Sequence, residues 1–254
     1  MEFKETLHPE SGEIKNRIVN YWTKRSHSFC DLREKEQYSD TGKAWLNEIQ
    51  SNIPAKKPLK ILDVGCGTGM FSLMLSALGH DVTGIDLTEH MVLHARELAR
   101  KQNSNATFYC MDAENPDFHD NTFDVILTRN LTWTLPHVDQ AYAKWYQLLK
   151  NGGVLLNFDA DYGHDSCNKN ISELPPEHAH CSMPKDMLQE CEAIKSQLTI
   201  SSKTRPSWDM ELLSSLGYKE VSADTNISTR IYKDHNEFFN PTPMFLIRAL
   251  KPCN

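Results

Sequence analysis

The chain has no long apolar run, no basic cluster and no paired CxxC among its 254 residues. Without an apolar stretch of about 20 residues, no membrane-spanning helix is expected. Lys56-Lys57 is only a short pair, and the formal net charge is -7. Such a balance argues against nucleic acid as a partner, which calls for a basic face. Without CxxC spacing, a structural zinc site has no support, and no metal is assigned. The GK[ST] triplet of a phosphate-binding P-loop is also absent. The opening residues, MEFKETLHPESGE, are polar and mixed in charge, unlike a secretory leader. The seven cysteines (30, 66, 110, 167, 181, 191 and 253) therefore read as thiols in a reducing compartment, and the cytoplasm is the expected location. No internal repeat or low-complexity tract is found.

What is present is organised around residues 59–71, LKILDVGCGTGMF. An apolar strand runs into Gly65, Gly67 and Gly69, and a helix-like apolar run follows. A strand opening through glycines into a helix brings bare backbone close to a ligand at the helix N-terminus. Strand and helix patterns then alternate, with strands expected at 59–64, 81–86, 106–111, 123–128 and 153–158. Helices are expected at about 69–78, 88–102 and 137–149, the last closed by Asn151-Gly152-Gly153, with Thr88 as a cap. This alternation predicts a parallel α/β sheet with helices on both faces. Two late strands, 218–225 and 243–250, can pair antiparallel at the edge.

Upstream, residues 13–25 place Ile14, Ile18, Tyr21 and Trp22 on one helical face, and 42–51 read as a second, short helix. The expected organisation is one domain over 1–254, with an N-terminal helical lid at 1–53 and a substrate-side insertion at 160–206. The insertion carries His164, Cys167, His178, His180, Cys181 and Cys191. Soft ligands of this kind suit a metal or metalloid, but their spacing matches no standard motif.

Three features sharpen the glycine loop. Its spacing is GxGxG, not the GxGxxG of dinucleotide folds, because position 70 is Met. Asp86 ends the second strand, where a carboxylate can accept both hydroxyls of a ribose. Asp112, Ala113 and Glu114 follow the third strand, where an acid can accept from an adenine amino group.

Together LDVGCGTG, GIDLTEHMV, FYCMDAENPDF, FDVILTRN and LLKNGGVLLNFD resemble, in order, the motifs of class I S-adenosylmethionine-dependent methyltransferases. The resemblance covers roughly 55–160. It implies a Rossmann-like, doubly wound seven-stranded sheet, mostly parallel with an antiparallel last strand, in the order 3-2-1-4-5-7-6. It implies S-adenosyl-L-methionine as methyl donor, with Asp63, Gly65, Cys66, Gly67 and Gly69 facing the methionine part. Asp86 would face the ribose and Asp112 and Ala113 the adenine, with Leu87, Met91 and Glu114 also among the cofactor-binding residues. Asn130 and Leu131 would lie by the sulfonium. In similar enzymes a helix like the one carrying Tyr21, Trp22 and Arg25 covers the cofactor.

Methyl transfer needs alignment more than acid–base machinery, so no universal catalytic motif is expected. Arg129 can pair with a carboxylate of substrate or cofactor. Trp133, Asp159 and Tyr162 are candidates for the acceptor wall, and Asp159, Asp161, Tyr162 and His164 are the acid–base candidates. The expected function is methyl transfer to a small-molecule acceptor. Two alternatives stand beside it: a nucleic acid or protein as acceptor, and a cofactor-binding regulator without transfer.

Overall fold

The computed structural model describes residues 9–165, 174, 178, 181 and 183–253. Cys167 and His180 of the insertion lie outside the described residues. Seven strands form one sheet in the order β3-β2-β1-β4-β5-β7-β6. They are β1 (Lys60–Val64), β2 (Asp81–Asp86), β3 (Thr107–Cys110), β4 (Phe123–Arg129), β5 (Leu149–Ala160), β6 (Lys219–Asp224) and β7 (Met244–Leu250). Pairings are parallel from β3 through β5, and β7 runs antiparallel to both β5 and β6. The central strands are buried on both faces, which is why β1 and β4 read as continuous apolar runs.

Eight α-helices are described: α1 (Pro9–Gln37), α2 (Asp40–Asn52), α3 (Met70–Ala77), α4 (Glu89–Lys101), α5 (Val138–Leu148), α6 (Lys185–Lys195), α7 (Ser207–Ser215) and α8 (Ile227–Ile231). Two cores result, one on each face of the sheet. One gathers α5, α6, α7 and the first half of α1 around Tyr142, Trp145 and Ile247. The other gathers α2, α3, α4 and α8 around Trp45, Leu75 and Phe158. Within 1–53, then, α1 borders the cavity described below, while α2 sends Trp45 and Ile49 fully into the core.

Three local readings are corrected. The first helix does not end near Arg25 but continues to Gln37. The helix before β5 ends at Leu148, not at Asn151-Gly152-Gly153. Leu149 is fully buried and already pairs with Phe123, so the chain enters the sheet at once. Gly152, at φ +76°, turns within the strand instead of capping the helix. The short helix α8 was not anticipated from the pattern.

β1 leads to α3 on one face, whereas its neighbour β4 leads to α5 on the other. This is the switch point at which open α/β sheets leave a crevice beyond the strand ends. Helix α1 crosses that crevice, packing on α6, α3 and α4. Arg17 of α1 grips Glu190 of α6 through two parallel hydrogen bonds of 2.9 and 2.8 Å.

Candidate active site

A cavity of about 280 Å³ lies at the switch point, beneath α1. Its floor is the glycine loop. Gly65 has φ +67°, and a Cβ there would meet the Leu131 side chain at 2.8 Å. Gly69 has φ +82°, and a Cβ would meet Phe108 at 2.7 Å. Only glycine allows these approaches. Gly69 nevertheless does not border the cavity; it ends the loop as the N-cap of α3.

Two acids stand over the loop. Asp63, at the end of β1, is buried and accepts Ser72 Oγ at 2.7 Å. Burial pushes its carboxyl up to about 7 despite the Ser72 hydrogen bonds. Asp86, at the end of β2, accepts Gly67 N at 3.0 Å on Oδ2 and Thr88 N at 2.8 Å on Oδ1. Its carboxyl is raised by burial, with the two backbone donors opposing. Each oxygen keeps a further lone pair for a hydroxyl donor. Thr88 caps α4 in position, but its side chain makes no capping bond. Cys66, Leu87 and Met91 border the same end of the cavity.

The loop after β3 divides its acids. Asp112 and Ala113 border the cavity. Glu114 does not: it is buried below, accepting His137 N at 2.6 Å and pairing with Lys15 of α1. Lys15 also donates to Asp112 Oδ2 at 2.6 Å. Ala113 is held from behind, its carbonyl accepting Trp145 Nε1 at 2.8 Å.

At the other end, Tyr21, Trp22, Arg25, Phe29 and Arg33 descend from α1. The rings of Trp22 meet Tyr21 and Phe29 edge-on at 5.4 and 5.5 Å, and the Arg25 guanidinium lies 5.4 Å from the Trp22 ring. Arg129, expected to take a ligand carboxylate, instead takes that of Glu36, at 2.9 and 3.1 Å. It lies 4.3 Å from the centre of the Trp45 ring. Arg33 pairs with the same Glu36, which is fully buried. Two guanidiniums, those of Arg33 and Arg129, thus share one buried carboxylate. Phe29, Arg33 and Glu36 lie beyond the residue where the sequence pattern placed the helix end, so sequence reasoning missed them. The i, i+3 pair of Arg33 and Glu36 was the available signal.

Beyond Asn130 (φ +54°) and Leu131 lies an aromatic wall. Trp133 and Tyr162 face each other with ring centres 5.1 Å apart. Tyr162 Oη donates to Asn130 Oδ1 at 2.9 Å and accepts Asn240 Nδ2 at 2.6 Å. Burial raises the Tyr162 phenol far above its ordinary value, so it remains a hydrogen-bonding phenol. His178 also borders this wall. Its Nε2 lies 2.7 Å from the Phe239 carbonyl oxygen, which can only accept, so Nε2 carries the proton. Burial lowers the pKa of this imidazole.

The other acid–base candidates are not brought to the cavity. Asp159 is fully buried, where it accepts Thr132 Oγ1, Trp133 N at 2.9 Å and Arg205 Nη1 at 3.1 Å. It holds the loop that carries Trp133. Asp161 and His164 pair with each other at 2.9 Å outside the cavity, with His164 exposed. No group of three or more His, Cys, Asp or Glu among the described residues is placed to hold a metal.

Residues 61–153 match a family profile described as a methyltransferase domain. Phosphoethanolamine N-methyltransferase 3 of Arabidopsis thaliana is 34% identical over 113 residues, covering 44% of this chain and 23% of that protein. The ubiquinone biosynthesis O-methyltransferase of Coxiella burnetii is 28% identical over 147 residues, covering 52% of this chain and 63% of that protein. The chain thus spans less than two thirds of either relative. Among solved structures, phosphoethanolamine N-methyltransferase 2 of Haemonchus contortus, in complex with phosphomonomethylethanolamine and S-adenosylhomocysteine, superposes with a TM-score of 0.60 at 19% identity, covering 89% of this chain and 61% of that one. With its sheet order and its glycine loop set between Asp63 and Asp86, the chain has the fold of the class I S-adenosylmethionine-dependent methyltransferases, and its residues 61–153 match a methyltransferase domain.

Proposed function

We propose that this protein transfers the methyl group of S-adenosylmethionine to a small-molecule acceptor. One observation carries the reading: the Asp86 carboxylate, aimed by Gly67 N and Thr88 N, stands in one covered cavity with Asp63 and Asp112. The residues present fit the cofactor. Asp86 offers paired acceptors to a ribose diol. Leu87, Met91 and Ala113 offer apolar surface to a purine beside the Asp112 carboxylate. Asp63 suits the amino group of the methionine tail, and the Arg25 and Arg33 end suits its carboxylate.

When bound, the sulfonium supplies an electrophilic methyl group. The protein's part is alignment and exclusion of water. Trp22, Trp133 and Tyr162 form the wall that confines the acceptor, and aromatic faces favour the cationic sulfonium. Tyr162, fixed between Asn130 and Asn240, orients by hydrogen bonding and does not act as a base at neutral pH. The covered, aromatic cavity and the acidic composition support a small molecule over a nucleic acid. No helix among the described residues is long and apolar enough to cross a membrane. No disulfide joins the described cysteines, which supports a cytoplasmic location.

The test is a panel of acceptor classes (thiols, phenols, amines, carboxylates and arsenite) incubated with methyl-labelled cofactor. Label transferred to one class supports the reading. Binding of cofactor with no transfer to any class favours the regulatory alternative.

A further inference from the structure

The loop after β3 holds two carboxylates two residues apart, and the N-terminal helix answers both with one ammonium. Lys15 Nζ lies 2.6 Å from Asp112 Oδ2 and also pairs with Glu114 Oε2. The lysine side chain is 18% exposed and borders the cavity. Glu114 is 3% exposed and cannot turn away, because its other oxygen accepts His137 N. Asp112 is gripped on both sides as well: Oδ1 accepts Glu114 N at 2.9 Å and Oδ2 accepts Lys15. Its remaining exposure, 31% of the side chain, is at the cavity.

This arrangement fixes more than a position. A carboxylate with a buried neighbour of the same sign is repelled by it and tends to swing aside. Lys15 removes that option. It offsets the second negative charge and ties Oδ2 in place. Asp112 is thereby held in one orientation, with lone pairs left over toward the cavity.

We infer that Lys15 is a positioning residue that sets base selectivity, making the site choose a purine with an exocyclic amine over one with an exocyclic carbonyl. The inference rests on the cofactor reading above. An amine donates to the held carboxylate, whereas a carbonyl oxygen would face it lone pair to lone pair. A site built to hydrogen-bond one such group rejects its counterpart strongly, because a polar group is left unpaired. If Lys15 were absent, Oδ2 would lose its tie, Asp112 could rotate away from the base, and the discrimination would shrink.

The experiment compares S-adenosylhomocysteine with S-inosylhomocysteine by calorimetry. The wild type is expected to prefer the adenosyl compound by at least ~30-fold. In Lys15→Met that ratio is expected to fall at least ~3-fold, and Lys15→Arg is expected to restore it. A purely structural loss would weaken both compounds alike and leave the ratio unchanged. Because Lys15→Met leaves Glu114 buried without its cation, the ratio is also measured in Lys15→Met/Glu114→Gln, which removes that demand. A ratio in Lys15→Met and in Lys15→Met/Glu114→Gln within threefold of wild type overturns the inference, as does a wild type that binds both compounds equally. A wild type that binds neither refutes the cofactor reading itself.

Discussion

Replacing Asp86 by Asn separates what this residue does for a ligand from what it does for the fold. In the free protein the carboxylate is costly: burial disfavours its charged form, and the N–H groups of Thr88 and Gly67 offset only part of that. Asparagine removes the charge and keeps the shape. Its amide oxygen retains one backbone donor, and the other donor, now facing an NH₂, loses a bond worth about 1 kcal/mol. Relief of the charge works in the opposite direction, so the melting temperature of Asp86→Asn is expected within about 3 °C of wild type. Ligand binding has no such compensation. Two ribose hydroxyls donating to a charged acceptor gain about 1.5–3 kcal/mol each. With an amide in its place, one hydroxyl keeps a neutral bond and the other meets a donor. A net loss of about 2–4 kcal/mol follows, or about 30- to 1,000-fold in affinity. Titration calorimetry with S-adenosylhomocysteine, paired with a thermal melt, reads both quantities. A variant that melts normally and binds within threefold of wild type would refute the role given to Asp86. A variant that unfolds early would refute the claim that its charge is costly to the fold.

Asp63 makes cofactor affinity pH-dependent. Its carboxyl is raised to about 7 in the free protein, and an ammonium group beside it favours the ionised form. S-adenosylhomocysteine affinity should therefore fall as pH drops below about 7, at up to ~10-fold per unit, and Asp63→Asn should flatten the slope. The stability sign is opposite: because the folded-state value is raised, stability tied to this group is lost as pH rises through about 7, which melts of the free protein would show. Arg205→Met removes a buried guanidinium that holds Asp159 and Asp209, at 3.1 and 2.8 Å. Two uncompensated buried carboxylates should cost about 3–5 kcal/mol, a drop of roughly 6–20 °C by calorimetry. Arg17→Ala breaks an ion pair whose partners are 31% and 37% exposed, so a melting shift under about 3 °C is expected; a larger one would show that the α1–α6 contact carries more of the fold.

The sheet was legible because parallel βα units announce themselves: continuous apolar strands, glycine-bearing turns and amphipathic helices in strict alternation. The strand order followed from the family resemblance, not from the pattern alone. At the site, the glycine loop, Asp63, Asp86 and Asp112 could be picked out because their chemistry is tied to strand ends. What strand ends do not show is where a side chain points. Glu114 and Asp159 look in sequence like their cavity-lining neighbours, yet each turns inward. Glu114 is held by Lys15, and Asp159 by Arg205, 46 residues downstream. The second half of α1 is polar, SHSFCDLREKEQ, and its helical face is defined by the cavity and by Arg129, contacts that no local periodicity encodes. Asn240 and Phe239 reach the cavity from a stretch without regular structure, so only the tertiary fold brings them to Tyr162 and His178.

The central claim is that the cavity over Gly65–Gly67 takes adenosine with a methionine tail. Calorimetric titration of the wild-type protein with S-adenosylhomocysteine, and separately with NADH, tests it most directly. Saturable one-site binding of S-adenosylhomocysteine, with none of NADH, is the predicted result. No binding of S-adenosylhomocysteine across a range of salt and pH, or preferential binding of NADH, would contradict it.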